Sequence, residues 1–212
     1  FSDEGANVLL VDLEETALKE TASEIANTNV RYCAADVSSP EETKNYIQAA
    51  SDSFGGIDIL VANAGIEGQV QPIIDYEIDT FDKVMSVNVR GVWLGLKYVA
   101  PEIQKRGGGS IVITSSVAGV RGAEGVSAYI ASKHAVIGLM KTAALEMAPM
   151  NIRVNTVNPA PVNTRMMRSL EEGFQPNDPG QVKEMMSAMV PLRRYAEPIE
   201  VAKIMLFLAS EE

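Results

Sequence analysis

The stretch SIVITSSVAGVRGAEGVSAYIASKHAVIGLMKTAALEMAPMNIRVNTVNP, residues 110–159, decides the fold. It runs from an apolar, β-branched segment (110–116) through a long helical one (126–149) to a second apolar segment (152–159). This order is typical of a βαβ unit, and strands this apolar belong in a parallel sheet covered on both faces. Further apolar runs at 7–12, 30–34 and 57–64 alternate with helical stretches at 14–27, 39–55 and 79–106. The sequence therefore predicts a doubly wound α/β fold, a three-layer sandwich.

Composition limits the kind of protein. A chain of 212 residues is long enough for one well-buried α/β domain, so we predict a single domain over 1–212. The net charge of −10 argues against a nucleic-acid groove and against docking on anionic lipid. The single cysteine, Cys33, allows neither an intrachain disulfide nor a cysteine-based zinc site. We therefore expect no metal site, no membrane span and a reducing, cytoplasmic compartment.

The segment 163–198 departs from the alternation of strands and helices. It is rich in methionine, contains the turn PNDPG, and directly follows the carboxyl end of a predicted strand. Long segments of this kind are often lids or binding loops, so we predict a substrate lid. The alternative is a pair of surface helices whose methionines fill gaps.

The predicted strands bring polar or small residues to one edge of the sheet. In an open α/β sheet, ligands bind outside the carboxyl ends of the strands. The residues at or just beyond these ends are Asp12, Asp36, Asn63, Ala64, Gly65, Ser115, Ser116, Asn158, Pro159 and Thr164. This convergence predicts a binding site at that edge.

Tyr129 and Lys133 stand one helical turn apart in the helical segment. Such neighbours touch on any helix, so the pair alone is weak evidence. A phenol has a pKa of about 10, which is too high for ready proton exchange near neutrality. A nearby ammonium would lower it, and a serine hydroxyl at a strand end could hold a substrate oxygen. Asn88 lies in an apolar helix, where it is either functional or a satisfied core amide at a kink.

Together these motifs resemble the short-chain dehydrogenase/reductase family. The segments AADVSS (34–39), NAG (63–65), NVRG (88–91) and ITSSVAG (113–119) stand in that family's order. The spacing of Asn88, Ser116, Tyr129 and Lys133 matches its catalytic tetrad. Ser116 stands thirteen residues before Tyr129, which is the usual interval in the family. Ser115 is therefore the less expected catalytic serine.

The resemblance implies a role for each tetrad residue on a Rossmann-type fold. Tyr129 would be the general acid/base, and Ser116 would position the carbonyl or alcohol. Lys133 would lower the tyrosine pKa and bind the nicotinamide ribose. Asn88 would hold a water in a proton relay.

Asp12 bears on the choice of cofactor. A carboxylate at this strand end would bind both ribose hydroxyls and repel a 2′-phosphate, which favours NAD over NADP. The alternative is an N-cap for the following helix. The further cofactor contacts that the resemblance implies are Asp36, Val37, Asn63, Ala64, Gly65, Tyr129, Lys133, Pro159, Val162 and Thr164.

The chain departs from the family pattern in two ways. Pro159 is followed by Ala160, where the family usually has glycine. A first strand with its glycine-rich loop before Asp12, and a last strand, are absent from the sequence. We therefore predict a fragment, truncated at both ends.

The implied reaction is reversible hydride transfer between a nicotinamide and a secondary alcohol or ketone. Several stretches look closest to the branch of the family that acts on cyclic alcohols and ketones, and a methionine-rich lid fits an apolar substrate. The alternatives are a 3-oxoacyl-carrier-protein reductase-like enzyme, a sugar or polyol oxidoreductase, and a non-catalytic dinucleotide-binding protein. Whether Arg121 or Glu67 touches the substrate stays open.

The apolar helical segments 81–106 and 127–148 predict an interface between subunits. The resemblance implies that they pair across a dimer axis within a homotetramer. We expect His134, which follows Lys133, to have a structural or interface role rather than one in proton transfer.

Overall fold

The computed structural model describes residues 1–25 and 29–211. Its strands are β1 (Val8–Asp12), β2 (Val30–Ala34), β3 (Ile59–Ala62), β4 (Gly109–Thr114) and β5 (Ile152–Val157). Every pairing is parallel: β1 pairs with β2, and β4 lies between β3 and β5. Within the described ranges, no strand ladder joins these two sheets. Each strand overlaps a predicted apolar run.

The helices alternate with the strands. They are α1 (Glu15–Glu24), α2 (Pro40–Phe54), α3 (Ile78–Met85), a π-helix (Ser86–Gly91), α4 (Val92–Lys105), α5 (Ser127–Met147), α6 (Arg165–Phe174), α7 (Pro179–Met189) and α8 (Pro198–Ala209). The predicted end of the first helix, residues 26 and 27, lies outside the described residues. The parallel sheets and interleaved helices confirm the predicted fold class.

Strand β4 shows why the protein has three layers. Successive strand residues point to opposite faces, so Ile111 and Ile113 enter one core and Val112 enters the other. The first core packs beneath α4 and α5 and also holds Tyr46 of α2, so one helical layer covers both sheets. The second core packs β4 and β5 against Met205 of α8. The four central residues of β4, 110–113, are fully buried, which holds this strand in a rigid setting.

The long helical run after β3 is not uniform. The π-helix interrupts it between α3 and α4, and such bulges are frequent at functional sites. A Cβ on Gly91 would lie 2.8 Å from Cγ2 of Val37, so a glycine is needed for this helix to approach the loop after β2. The bulge places Asn88 inside the protein, 1 % exposed.

Candidate active site

Ser116, Tyr129 and Lys133 meet where β4 ends and α5 begins. The Lys133 Nζ lies 5.4 Å from the centroid of the Tyr129 ring, as the spacing of one helical turn requires. The same Nζ donates a hydrogen bond of 2.8 Å to the carbonyl oxygen of Thr114, the last residue of β4. The phenol of Tyr129 interacts with the Ser116 side chain. The fold thus joins a phenol, a hydroxyl and an ammonium at one point.

The protonation of this group follows from its burial. Burial raises the pKa of Tyr129, the Ser116 hydroxyl opposes that rise, and the negative charge of Glu67 adds to it. Burial lowers the pKa of Lys133 to about 8, so its amine is mostly protonated at neutral pH. The net direction for Tyr129 is upward, which is opposite to the lowering that the sequence led us to expect from Lys133. Desolvation of the phenolate therefore raises the Tyr129 pKa by more than the Ser116 hydroxyl lowers it.

Ser115 and Ser116 have different surroundings. Ser115 is buried and donates a hydrogen bond of 3.0 Å to the carbonyl oxygen of Lys133, so its hydroxyl is used within the scaffold. The Ser116 hydroxyl accepts a bond of 3.1 Å from the amide of Ala118 and can still donate. A Cβ on Gly119 would lie 2.5 Å from the Ser115 Oγ, which explains the glycine in this turn.

The Asn88 side chain makes three of the four hydrogen bonds that an amide can form. Its Oδ1 accepts from the amide of Ile66 at 2.8 Å, and its Nδ2 donates to the carbonyl oxygen of Ile66 at 2.8 Å and to the Ser132 Oγ at 3.0 Å. Ser132 in turn donates to the carbonyl oxygen of Tyr129 at 2.8 Å. Asn88 therefore holds the loop after β3 against α5, and the proton-relay role stays a prediction. Ser132 was missed from sequence, although its place three residues after Tyr129 puts it on the same helix face.

Gly65 explains part of the NAG segment. A Cβ at this position would lie 3.3 Å from the Asn88 Oδ1 and 3.6 Å from the Lys133 Nζ. Glycine therefore leaves room for both side chains beside the backbone. The neighbouring Asn63 accepts a hydrogen bond of 2.9 Å from the Thr114 hydroxyl, while Asn63 and Ala64 are both exposed.

Two acidic residues lie at strand ends, and only one of them leaves its carboxylate largely free. Asp12 is exposed at the end of β1 and accepts one bond of 3.3 Å from the amide of Glu14. Glu14 is itself the N-cap of α1, so Asp12 is not the cap. Asp36, beside Val37, accepts bonds of 2.8 and 2.7 Å from the amide and hydroxyl of Ser38.

The segment after β5 completes the edge of the site. Its Pro159 carbonyl accepts a hydrogen bond of 2.9 Å from the amide of Val117, next to Ser116. Val162 forms a parallel bridge with Ala196, and the Thr164 hydroxyl donates to the Val162 carbonyl at 3.3 Å. Ala160 is not among the residues with positive φ, so it does not need the conformation that favours glycine.

These donors and acceptors fit the ribose ends of a nicotinamide dinucleotide. An ammonium has three donors, and the Thr114 carbonyl is the one acceptor found for Lys133 among the described residues. The remaining donors could bind ribose hydroxyls. The exposed Asp12 carboxylate supplies the acceptor that a second ribose needs.

The end of α6 lies on the rim of the site. A Cβ on Gly173 would lie 2.7 Å from Cγ2 of Val70, and one on Gly125 would lie 3.6 Å from Cε1 of Phe174. Gln71 donates an amide bond of 2.8 Å to the Gly125 carbonyl, which joins the loop after β3 to the turn before Tyr129. The predicted lid therefore lies against both the loop after β3 and the turn before Tyr129.

Several other residues lie outside this cluster. His134 is exposed, and its Nδ1 lies 3.0 Å from the Ile130 carbonyl oxygen. Arg121 is also exposed, as are Met185 and Met189 of α7.

Within the described residues, no group of three or more His, Cys, Asp or Glu side chains is placed to hold a metal. No helix in that part of the chain is long and apolar enough to cross a membrane.

Comparison with known proteins gives matches over the whole chain. A family model described as enoyl-(acyl carrier protein) reductase matches residues 1–212. Levodione reductase of Leifsonia aquatica is 36% identical over 213 residues, covering 99% of this chain and 80% of that protein. Cyclohexanol dehydrogenase of Acinetobacter sp. (strain SE19) is 33% identical over 214 residues, covering 100% of this chain and 81% of that protein.

Solved structures agree with these matches. The crystal structure of levodione reductase superposes with a TM-score of 0.96, covering 99% of this chain and 83% of that one. The NAD+-bound crystal structure of xylitol dehydrogenase has a TM-score of 0.92 at 33% identity, covering 99% of this chain and 85% of that one. The matches confirm the predicted family and the resemblance to relatives that are named for cyclic compounds.

Proposed function

Because the chain belongs to the short-chain dehydrogenase/reductase family of oxidoreductases, we propose that it transfers a hydride between NAD and a cyclic or apolar secondary alcohol or ketone. The observation that carries the proposal is the meeting of Ser116, Tyr129 and Lys133 at the carboxyl end of β4. A non-catalytic dinucleotide-binding protein would not need this arrangement.

Each side chain has a distinct part in the proposed reaction. The Ser116 hydroxyl donates to the substrate oxygen and holds it beside the phenol. In ketone reduction the Tyr129 hydroxyl gives its proton to that oxygen, and in alcohol oxidation the phenolate takes it back. Lys133 stabilises the phenolate by its charge and orients the nicotinamide ribose. A bound nicotinamide supplies the hydride acceptor or donor.

Asn88 contributes by holding the scaffold, in addition to the relay proposed for it. Its amide holds Ile66, and therefore the Glu67 side of the pocket, against the helix that carries Tyr129. The geometry of the reacting groups depends on this contact, because small misplacements are costly in catalysis.

The preference for NAD rests on Asp12. Its exposed carboxylate would accept hydrogen bonds from the adenosine ribose and repel a 2′-phosphate. The NAD+-bound relative supports the cofactor class. We assign Asp36, Val37, Asn63, Ala64 and Gly65 to the adenosine side, and Pro159, Val162 and Thr164 to the nicotinamide side.

Two relatives support the substrate class, because their names specify a levodione and cyclohexanol. A homotetramer is also proposed. The side chains of Trp93 on α4 and Leu145 on α5 are 44% and 79% exposed, which is unusual for large apolar groups on these two helices. Pairing of the helices between subunits would cover them.

The test is a turnover assay on the purified natural gene product with NADH and NADPH. The panel contains cyclic ketones, linear 3-oxo thioesters and sugars. Tyr129→Phe removes the phenol at the site, and Tyr32→Phe is the matched control at an exposed position on β2. We expect NADH-dependent reduction of a cyclic ketone, reduced by roughly 100-fold or more in Tyr129→Phe and unchanged in Tyr32→Phe.

Three results would contradict the proposal. Preference for NADPH would overturn the interpretation of Asp12. Preference for thioesters or sugars would replace the substrate class. Measurable NADH binding without turnover of any panel member would favour the non-catalytic alternative.

A further inference from the structure

Helix α6 carries a buried carboxylate that the proposed reaction does not use. Glu171 is 2% exposed, and its Oε2 forms an ion pair of 3.0 Å with Nη1 of Arg168 one turn earlier. Its Oε1 is buried and has no hydrogen-bond partner among the described residues. A buried carboxylate with a free oxygen is costly, and an apolar side chain would fill this position at lower cost. Its presence needs a reason beyond packing.

The carboxylate belongs to a cluster that joins α6 to the segment after α7. The Tyr195 side chain, 5% exposed, lies beside Glu171, and burial together with this carboxylate raises the pKa of the phenol. The Arg168 guanidinium stands 5.7 Å from the Tyr195 ring centroid and donates a bond of 3.0 Å to the Asn163 side chain. We call Arg168, Glu171 and Tyr195 the α6 anchor.

The α6 anchor also reaches α7. The Tyr195 hydroxyl donates to the Met186 Sδ at 3.5 Å. The next residue, Ala196, exchanges backbone hydrogen bonds of 2.8 and 2.9 Å with Asn163 and Pro161, just after β5. The anchor therefore connects α6 and α7 to a segment that is itself tied to the sheet.

The position of the anchor gives it influence on the site. Its residue Glu171 stands two and three residues before Gly173 and Phe174, which lie beside Val70 and Gly125 on the rim. A shift of α6 at the anchor would move its rim contacts with it, because a short helix moves as a unit. On this rim, Val70 stands four residues after Ile66 and Gly125 stands four residues before Tyr129.

We propose that Glu171 is a positioning residue, which holds α6 closed over the bound alcohol or ketone by way of Arg168 and Tyr195. This inference rests on the proposed function, since it assigns a role in substrate binding at that same site. When the anchor is weakened, the closed arrangement is less populated. The apparent affinity for substrate then falls in proportion to that population.

The test compares Glu171→Gln with Glu172→Gln in the natural gene product. Both changes remove one carboxylate from α6, but Glu172 is exposed. We expect Glu171→Gln to raise KM for the ketone on the order of tenfold, with kcat and KM for NADH within about twofold of the natural protein. Glu172→Gln should change none of these. Tyr195→Phe, which keeps the ring and removes the hydroxyl, should raise KM for the ketone in the same direction.

Hydrogen exchange supplies a readout that needs no turnover. The amides of α6 should exchange faster in Glu171→Gln and Tyr195→Phe than in the natural protein, while those of β4 stay protected. Unchanged ketone KM and unchanged α6 exchange in a folded variant would overturn the proposal. Equal rises in KM for the ketone and for NADH, together with a lower thermal stability, would also overturn it, because they indicate a general structural role. An inactive natural protein whose α6 exchange still responds would contradict the proposed function and retain the anchor.

Discussion

Replacement of Asn88 by alanine tests how the site is held together. The native amide makes three hydrogen bonds of 2.8, 2.8 and 3.0 Å, to both backbone groups of Ile66 and to the Ser132 hydroxyl. Alanine would leave all three without this partner. It would also open a small space around a position that is 1 % exposed.

The expected loss of stability follows from these contacts. Each hydrogen bond contributes about 1 kcal/mol net, and a buried group left without a partner costs about 1–3 kcal/mol. We therefore expect Asn88→Ala to lower the free energy of unfolding by about 3 kcal/mol. The loop that carries Glu67 should lose its fixed position beside α5, so kcat/KM should fall as well.

The assay is urea unfolding followed by circular dichroism, with free energies taken by linear extrapolation. Asn45→Ala is the matched control, because Asn45 is exposed on α2 and its loss should change the free energy by less than about 0.5 kcal/mol. An Asn88→Ala protein that unfolds at the native free energy but has lost activity would refute the reasoning. That result would assign the side chain to chemistry, such as the predicted water relay, instead of to the scaffold.

Three further predictions concern charge. Glu67→Gln should move the pH midpoint for alcohol oxidation downward, because the carboxylate raises the pKa of Tyr129 and its removal makes the phenolate easier to form; an unchanged or higher midpoint would be contrary evidence. Asp12→Ala should raise the NADPH/NADH ratio of kcat/KM by about tenfold, since a repelling charge is lost; a constant ratio would remove Asp12 from cofactor choice. The Arg194 guanidinium lowers the pKa of Glu200 to about 2, so this pair stabilises the fold above the usual carboxyl pKa of about 4.3, and the contribution is lost as pH falls toward 2. Glu200→Gln should therefore lose less stability between these pH values, as measured by acid unfolding, and an identical acid profile would exclude the effect.

The fold was predictable because its signals are local. The β-branched runs and the helical stretches between them specify parallel strands and their covering helices wherever they occur in the chain. Ser39 likewise caps α2 through a 3.3 Å bond from the amide of Glu42 to its hydroxyl, with Pro40 in the first turn. Tyr129 and Lys133 stood out by their spacing on one helix, and the resemblance to the family implied their role and selected Ser116 at the strand end. The structure brings these three together.

The sequence by itself determined the fold class, the family and the residues that meet at the end of β4. Only the tertiary structure decided what the buried polar groups contact. The partners of Asn88 lie 22 and 44 residues away, and the Tyr195 phenol beside Glu171 belongs to a different segment. The tertiary structure also decided the direction in which the Tyr129 pKa is shifted, because desolvation depends on what covers a group. Periodicity describes neighbours along one element, while these contacts depend on how separate elements pack.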